Sequence, residues 1–212
     1  MDFQALLRRT RVVPVITIND AETATGLAIA LRDGGLPVLE VTLRTDAGLP
    51  AIERIAREVP DVVVGAGTVR TATQLKAARG AGAQFIVAPG CTPQLLAAAA
   101  EAGGFFLPGA VTASEVMTLV DAGLSLLKFF PAESSGGAAA VRSLSGPFPD
   151  VSFCPTGGID LAKAHEYLAL GNVTCVGGTW MVPQKLVDAR EWDAIRELAA
   201  TAVSELCEPA AA

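Results

Sequence analysis

The sequence predicts an α/β protein whose strands and helices form a (β/α)8 barrel, also called a TIM barrel. Short runs rich in β-branched residues alternate with Ala- and Leu-rich stretches along the whole chain, a pattern typical of repeated βα units. Eight of these runs follow one another at intervals of about 20 to 25 residues, with no long linker between them. Such regular spacing favours a closed parallel barrel, and an open doubly wound sheet is the alternative.

The eight predicted strands are short and apolar, and helical stretches such as 21–32 separate them. The strands span residues 12–18, 37–43, 62–67, 84–89, 104–109, 125–131, 151–157 and 173–179. Helix starts are predicted directly after strands 4, 5 and 7, because these positions carry side chains that cap helix N-termini. The capping residues are Thr92 before Pro93, Thr112 with Glu115, and Asp160.

The length of the chain predicts a single domain over residues 1–212. With 51% hydrophobic residues, 212 residues are enough for one sizeable core. Residues 1–9 are predicted to form a short helix that covers the bottom of the barrel. Residues 208–212 are predicted to be a disordered tail.

The composition argues against several classes of function. The net charge of −6 argues against a nucleic-acid partner. Neither a secretory signal nor 18 consecutive apolar residues occur, so we expect no membrane partner and a cytoplasmic protein. The four cysteines contain no CxxC pair, and His165 is the only histidine, so we expect no metal, no other cofactor and no disulfide framework. We expect His165 at the surface, and a Ser-His-Asp triad is the alternative.

Strand 2 carries two charged residues on one face. Side chains alternate along a strand, so Glu40 and Arg44 lie opposite Leu39, Val41 and Leu43. The apolar face would pack against helices, which directs the charged face into the barrel near its carboxyl end. There the two residues either form an ion pair that closes the barrel mouth or take part in catalysis.

Strand 6 places a lysine within the apolar run LLKFFP at 126–131. The alternation directs Leu126, Lys128 and Phe130 into the barrel. Burial disfavours an ammonium group and favours the neutral amine that attacks a ketone. A structural lysine satisfied by Glu40 is the alternative. With Glu40 and Arg44, however, the site would hold a nucleophile, a proton shuttle and a carboxylate clamp, which suit a 2-keto acid.

Glycine pairs follow the last two predicted strands, in PTGGI (155–159) and VGGTW (176–180). The loops after strands 7 and 8 are the recurrent phosphate site of these barrels. Glycines let backbone amides approach a phosphate, and the hydroxyls of Thr156 and Thr179 can donate to it. We therefore predict a phosphate site here, with two plain turns as the alternative.

Seven motifs lie on or beside the predicted strands, from the first to the last. They are VVPVI (12–16), LEVTLRT (39–45), VGAGTV (64–69), VAPG (87–90), LKFFPAE (127–133), FCPTGGI (153–159) and VGGTW (176–180). Together they resemble the family of 2-keto-3-deoxy-6-phosphogluconate (KDPG) aldolase and 4-hydroxy-2-oxoglutarate (KHG) aldolase. The resemblance covers nearly the whole chain, and it implies a class I aldolase with the TIM-barrel fold.

The resemblance implies roles for individual residues. Lys128 would form the Schiff base, and Glu40 would act as general acid and base. Arg44 and Thr68 would hold the carboxylate of pyruvate, while Pro89 and Phe130 would line the pocket. The substrate phosphate would contact Thr156, Gly157, Gly158, Gly178 and Thr179. Better-known members carry serine where this chain has Thr179. The resemblance also implies a homotrimer without a metal.

The activity implied by the resemblance is that of a lyase of the Entner–Doudoroff pathway. Such an enzyme cleaves KDPG to pyruvate and glyceraldehyde 3-phosphate, and family members often also cleave KHG to pyruvate and glyoxylate. Three alternatives remain at this stage: an aldolase specific for KHG, a sugar-phosphate isomerase or epimerase that forms no covalent adduct, and a non-catalytic sugar-phosphate-binding protein.

Overall fold

The computed structural model of the protein describes residues 3–206. Within these residues a strand is present in each of the eight predicted places. The strands are β1 (Val12–Ile16), β2 (Val38–Thr42), β3 (Val63–Gly67), β4 (Phe85–Val87), β5 (Phe105–Leu107), β6 (Leu126–Phe129), β7 (Ser152–Pro155) and β8 (Val176–Gly178). The α-helices are α1 (Phe3–Thr10), α2 (Ala24–Asp33), α3 (Gly48–Glu58), α4 (Ala72–Gly80), α5 (Pro93–Ala102), α6 (Ala113–Asp121), α7 (Gly137–Leu144), α8 (Leu161–Leu168), α9 (Gln184–Asp188) and α10 (Trp192–Leu206). Short 3-10 helices cover Ala21–Thr23 and Glu133–Ser135.

The strands are divided between two parallel sheets. Six strands pair in the order β5-β4-β3-β2-β1-β8, and β6 pairs with β7. Three isolated bridges connect the two sheets. Gly109–Lys128 joins the β5 and β6 segments, and Phe153–Val173 and Thr156–Gly177 join the β7 and β8 segments. The predicted α/β fold with parallel strands is therefore confirmed.

The strands are shorter than the sequence predicts. β5 is Phe105–Leu107 rather than 104–109, and β8 is Val176–Gly178 rather than 173–179. Beyond these limits regular pairing stops, and Gly109 and Val173 keep only isolated bridges, to Lys128 and Phe153. The helical stretch predicted at 21–32 also divides, because the Asp20 side chain accepts a hydrogen bond from the Glu22 amide and caps a 3-10 turn before α2.

Capping side chains begin the helices after β4, β5 and β7, as predicted. Thr92 accepts a hydrogen bond from the Leu95 amide at the start of α5. Thr112 and Glu115 form a reciprocal capping box on α6. Asp160 accepts from the Lys163 amide at the start of α8. Each cap satisfies amide groups that have no partner within the helix.

Alternating strand side chains build two apolar clusters. The outer cluster lies between strands and helices and includes Leu39, Val41, Leu127 and Phe129. The inner cluster takes side chains from each of the strands β1 to β7 and from the residue before β8: Val13, Val38, Val63, Phe85, Val87, Leu107, Leu126, Cys154 and Cys175. The alternation therefore places Glu40 and Lys128 on the inner side, as the sequence predicts.

Helix α1 packs against the amino ends of the strands. The Phe3 ring lies 4.7 Å from the ring of Phe85 and 4.4 Å from that of Phe105, and Leu7 is buried in the inner cluster. The first two residues of the predicted helix 1–9 and the predicted tail 208–212 lie outside the described residues. No helix between residues 3 and 206 combines the length and apolar character needed to cross a bilayer.

Candidate active site

Lys128 and Glu40 form a buried ion pair on the inner side of the strands. Lys128 Nζ lies 3.1 Å from Glu40 Oε1 and 3.3 Å from Oε2. Each residue is only 3% exposed. Because two buried charges lose their hydration, such a pair is costly without a role. The arrangement brings an amine nucleophile within hydrogen-bonding distance of a carboxylate that can move its protons.

Gly67, at the end of β3, makes room for the Glu40 carboxylate. Glu40 lies beside Gly65, and Thr42 beside Gly67, in the pairing of β2 with β3. A methyl group on Gly67 would lie 2.6 Å from Cγ and 2.8 Å from Cδ of Glu40. Only glycine therefore lets the carboxylate pass over the neighbouring strand to Lys128. The motif VGAGTV (64–69) carries no sequence signal for this role.

Arg44 and Thr68 meet at the carboxyl ends of β2 and β3. The Arg44 guanidinium donates a hydrogen bond from Nε to Thr68 Oγ1 over 3.1 Å. Thr68 has a positive φ of 58°, which is uncommon for a residue with a β-branched side chain and often marks a functional position. The Nη groups of Arg44, which this contact does not use, are suited to a carboxylate ligand.

Phe130 lies beside Lys128. The Phe130 ring centroid is 5.3 Å from Lys128 Nζ, within the range of a cation–π contact. The Pro89 carbonyl lies against Gly109, where a methyl group would overlap it, and Gly109 bridges to Lys128. Phe130 and Pro89 are half-buried.

A cavity of about 100 Å³ opens beside this cluster, between the loops after β7 and β8. Seven of the predicted site residues line it: Arg44, Phe130, Thr156, Gly157, Gly158, Gly178 and Thr179. Its lining does not include Lys128, Glu40, Thr68 or Pro89. Val15, Ile159 and Gly177 complete the wall, and the sequence pattern did not predict them as site residues.

The glycines of these loops are required by geometry. Gly157 and Gly158 have φ values of 106° and 76°, a left-handed conformation that favours glycine. A methyl group on Gly178 would overlap the Trp180 ring. Trp180 thus shapes the loop after β8, a role for which the sequence carried no signal beyond the GGTW motif.

Two cysteines that are distant in sequence belong to the same inner apolar cluster. Cys154 pairs in register with Lys128. The neighbouring Cys175 thiol lowers the pKa of Cys154, and the Cys154 thiol raises the pKa of Cys175. Both side chains are buried. Sequence spacing gave no indication of this contact.

Other titratable residues lie away from this cluster. His165 is exposed on α8 with Nε2 3.9 Å from Glu205 Oε2, which confirms its surface position. Across the part of the chain that the structure describes, His, Cys, Asp and Glu side chains nowhere form a group of three that could hold a metal ion.

Comparisons with known proteins identify the family. The family model described as "Aldolase: KDPG and KHG aldolase" matches residues 3–198. The chain belongs to the KDPG and KHG aldolase family. A relative from Pseudoalteromonas atlantica, named 2-dehydro-3-deoxy-phosphogluconate aldolase, is 51% identical over 193 residues, which are 91% of this chain and 90% of the relative. The KHG/KDPG aldolase of Escherichia coli K12 is 48% identical and matches over 94% of each chain.

A solved structure of the same family is also similar. The KDPG aldolase of Legionella pneumophila superposes with a TM-score of 0.93 at 41% identity, covering 98% of this chain and 99% of that protein. That enzyme holds pyruvate as a covalent carbinolamine intermediate.

Proposed function

We propose that this family member is a class I aldolase that cleaves KDPG to pyruvate and glyceraldehyde 3-phosphate through a Schiff base on Lys128. The observation that carries the proposal is the buried pair of Lys128 Nζ and the Glu40 carboxylate, 3.1 Å apart. Phe130, whose ring centroid lies 5.3 Å from Lys128 Nζ, lines a cavity that also includes Arg44 and the glycine loops and is suited to an anionic substrate. The carbinolamine described for the Legionella relative supports the same chemistry.

In the proposed reaction, neutral Lys128 attacks C2 of the keto acid, and Glu40 moves the protons. Glu40 takes a proton from the amine and returns one to the departing hydroxyl of the carbinolamine, which leaves as water. The resulting iminium withdraws electrons from C3 as the C3–C4 bond breaks and the C4 hydroxyl loses its proton. The aldehyde product then leaves. Protonation of the remaining enamine at C3, followed by addition of water at C2, releases pyruvate and restores Lys128.

Arg44 and Thr68 are proposed to bind the carboxylate at C1. The guanidinium offers two parallel N–H donors, and its Nε contact with Thr68 keeps those donors in one orientation. Phe130 and Pro89 would line the pocket around the reacting carbons, because Phe130 lies next to Lys128 and Pro89 lies against Gly109, which bridges to Lys128. Their apolar surfaces limit the access of water to the iminium.

The glycine loops are proposed to bind the phosphate at the far end of the substrate. The residues involved are Thr156, Gly157, Gly158, Gly178 and Thr179, which line the same cavity. Helix α8 begins at Leu161, just after this loop, and its N-terminus adds positive potential. Binding energy from the phosphate would orient the C3–C4 bond, which lies far from it.

The remaining expectations are proposals as well. We propose that the strands form one closed eight-stranded barrel and one domain, which the inner cluster and the three bridges between the sheets support. The enzyme would be a cytoplasmic homotrimer. It would need no metal, because lysine and glutamate together supply the chemistry.

A steady-state assay tests the proposed function. Purified protein incubated with KDPG should release pyruvate and glyceraldehyde 3-phosphate in equal amounts. KHG should also be cleaved, with lower kcat/KM, because it lacks the phosphate that the glycine loops would bind. Turnover of KHG alone would identify a KHG-specific aldolase, and turnover of neither compound would refute the proposal.

A further inference from the structure

A second polar cluster lies behind the Gly157–Gly158 loop. The Glu133 carboxylate accepts a hydrogen bond from the Tyr167 hydroxyl over 2.6 Å and forms an ion pair with Lys163 Nζ over 2.7 Å. Both contacts hold the pKa of Glu133 below its ordinary value, with Lys163 as the larger cause. Tyr167 is almost fully buried. The cluster therefore anchors a lysine to the body of the protein.

The anchored lysine contacts the loop directly. Lys163 Nζ donates to the Gly158 carbonyl over 3.2 Å. The two preceding carbonyls are also held, since Ala132 N–H donates to Thr156 O over 2.8 Å and Glu133 N–H donates to Gly157 O over 3.2 Å. Three successive carbonyl oxygens of the loop thus accept hydrogen bonds. Lys163 is the only side chain that provides one of these three contacts.

Fixing the carbonyls also fixes the amides of the same peptide groups. The planes that contain the Gly157 and Gly158 carbonyls also contain the N–H groups of Gly158 and Ile159. Within residues 3–206 neither amide has a hydrogen-bond acceptor, and both residues line the cavity. Amides without an internal partner beside a cavity are suited to an anion.

We propose that Lys163, held by Glu133, is a positioning residue that orients the Gly157–Gly158 loop for the substrate phosphate. This inference rests on the proposed function and concerns how tightly the phosphorylated substrate binds. Lys163 itself does not line the cavity, and its Nζ already has two partners in Glu133 and the Gly158 carbonyl. It therefore acts through the backbone and not as a direct phosphate ligand.

The first test compares a phosphorylated ligand with one that has no phosphate. For Lys163→Met we expect KM for KDPG to rise about tenfold, as for the loss of a charge-assisted hydrogen bond. The pyruvate concentration that gives half-maximal borohydride trapping on Lys128 should change much less, because pyruvate has no phosphate. The ratio of the two values is the readout. Lys76→Met is the matched control, because Lys76 is an exposed lysine on α4.

The second test separates positioning from simple attraction between charges. Glu133→Gln removes the ion pair that anchors Lys163 but leaves the lysine charge in place. Positioning predicts that this variant also raises KM for KDPG relative to half-saturation by pyruvate. Direct attraction predicts the opposite, because removing an anion near the phosphate would lower KM.

The outcomes are distinct from those that bear on the proposed function. A raised ratio in both variants, with Lys76→Met equal to the unaltered enzyme, would support the inference. An unchanged ratio in Lys163→Met, or a lowered KM in Glu133→Gln, would overturn it while leaving aldolase activity established. Equal fold changes in KM for KDPG and in the pyruvate concentration for half-maximal trapping would also overturn it, because they would indicate a general structural role.

Discussion

Replacement of Gly67 by alanine tests whether the position of the Glu40 carboxylate matters for catalysis. The added methyl group would lie 2.6 Å from Glu40 Cγ and 2.8 Å from Cδ. Apolar atoms normally approach to about 3.5–4.0 Å, so the glutamate must move by about 1 Å. Because a flexible side chain can absorb this shift, we expect Gly67→Ala to fold.

The expected effect on turnover follows from the size of that displacement. Glu40 Oε1 lies 3.1 Å from Lys128 Nζ, so a shift of about 1 Å away from the lysine breaks the hydrogen bond. Misplacement of a catalytic group by this amount lowers turnover about a hundredfold. We therefore expect kcat for KDPG cleavage to fall about a hundredfold in Gly67→Ala. This kcat should still exceed that of a variant without the Glu40 carboxylate.

Pyruvate release from KDPG measures this effect, and Gly65→Ala provides a matched control on the same strand. The nearest neighbours of a methyl group on Gly65 would be atoms of the Phe85 ring, 2.5 Å away, and not atoms of Glu40. This control should lose about 1–3 kcal/mol of unfolding free energy through overpacking, yet keep kcat within about threefold while folded. A kcat for Gly67→Ala equal to that of the unaltered enzyme would refute the proposed role of the Glu40 position.

Three further predictions address the stability and binding of this aldolase. Glu40→Leu should lower the unfolding free energy in urea by about 3–5 kcal/mol, because Lys128 loses its buried partner; a loss below about 1 kcal/mol would contradict a buried charge pair. Thr68→Ala should raise the pyruvate concentration for half-maximal trapping about fivefold, because Arg44 loses its acceptor; an unchanged value would argue against the clamp. Hydrogen bonds from the amide of Val111, and then from Thr112, lower the pKa of Glu115, so its contribution to stability is present above its unfolded-state pKa and is lost as pH falls. Urea unfolding at pH 7 and at about pH 3 should show that Glu115→Gln loses less unfolding free energy in acid than the unaltered protein does. Equal losses in the two proteins would contradict this assignment.

Local periodicity was sufficient to predict the parts of the site that lie within single strands. The alternation of side chains in LEVTLRT and LLKFFP predicted that Glu40 and Lys128 share the inner side, and the structure confirms their contact. The apolar runs likewise predicted where each strand would occur, because strand pairing buries them. Strand ends were less predictable, since they depend on how far the pairing with a neighbouring strand extends, as at β5 and β8.

Contacts between distant segments could not be predicted from the sequence. The passage of Glu40 over Gly67 depends on the register between β2 and β3. The contact of Cys154 with Cys175 depends on how β7 lies beside β8, and the contact of Lys163 with Gly158 depends on a loop conformation. No periodicity encodes these arrangements, because each arises from tertiary packing and not from the local pattern.

Trapping with sodium borohydride in the presence of pyruvate tests the central claim about Lys128 most directly. The protein is reduced with pyruvate in excess, its intact mass is measured, and the modified peptide is mapped, with Lys128→Met treated in parallel. The account predicts one adduct per chain, located on Lys128 and absent from Lys128→Met. A folded protein that gains no adduct, or gains it on another lysine, would contradict the proposed Schiff-base mechanism.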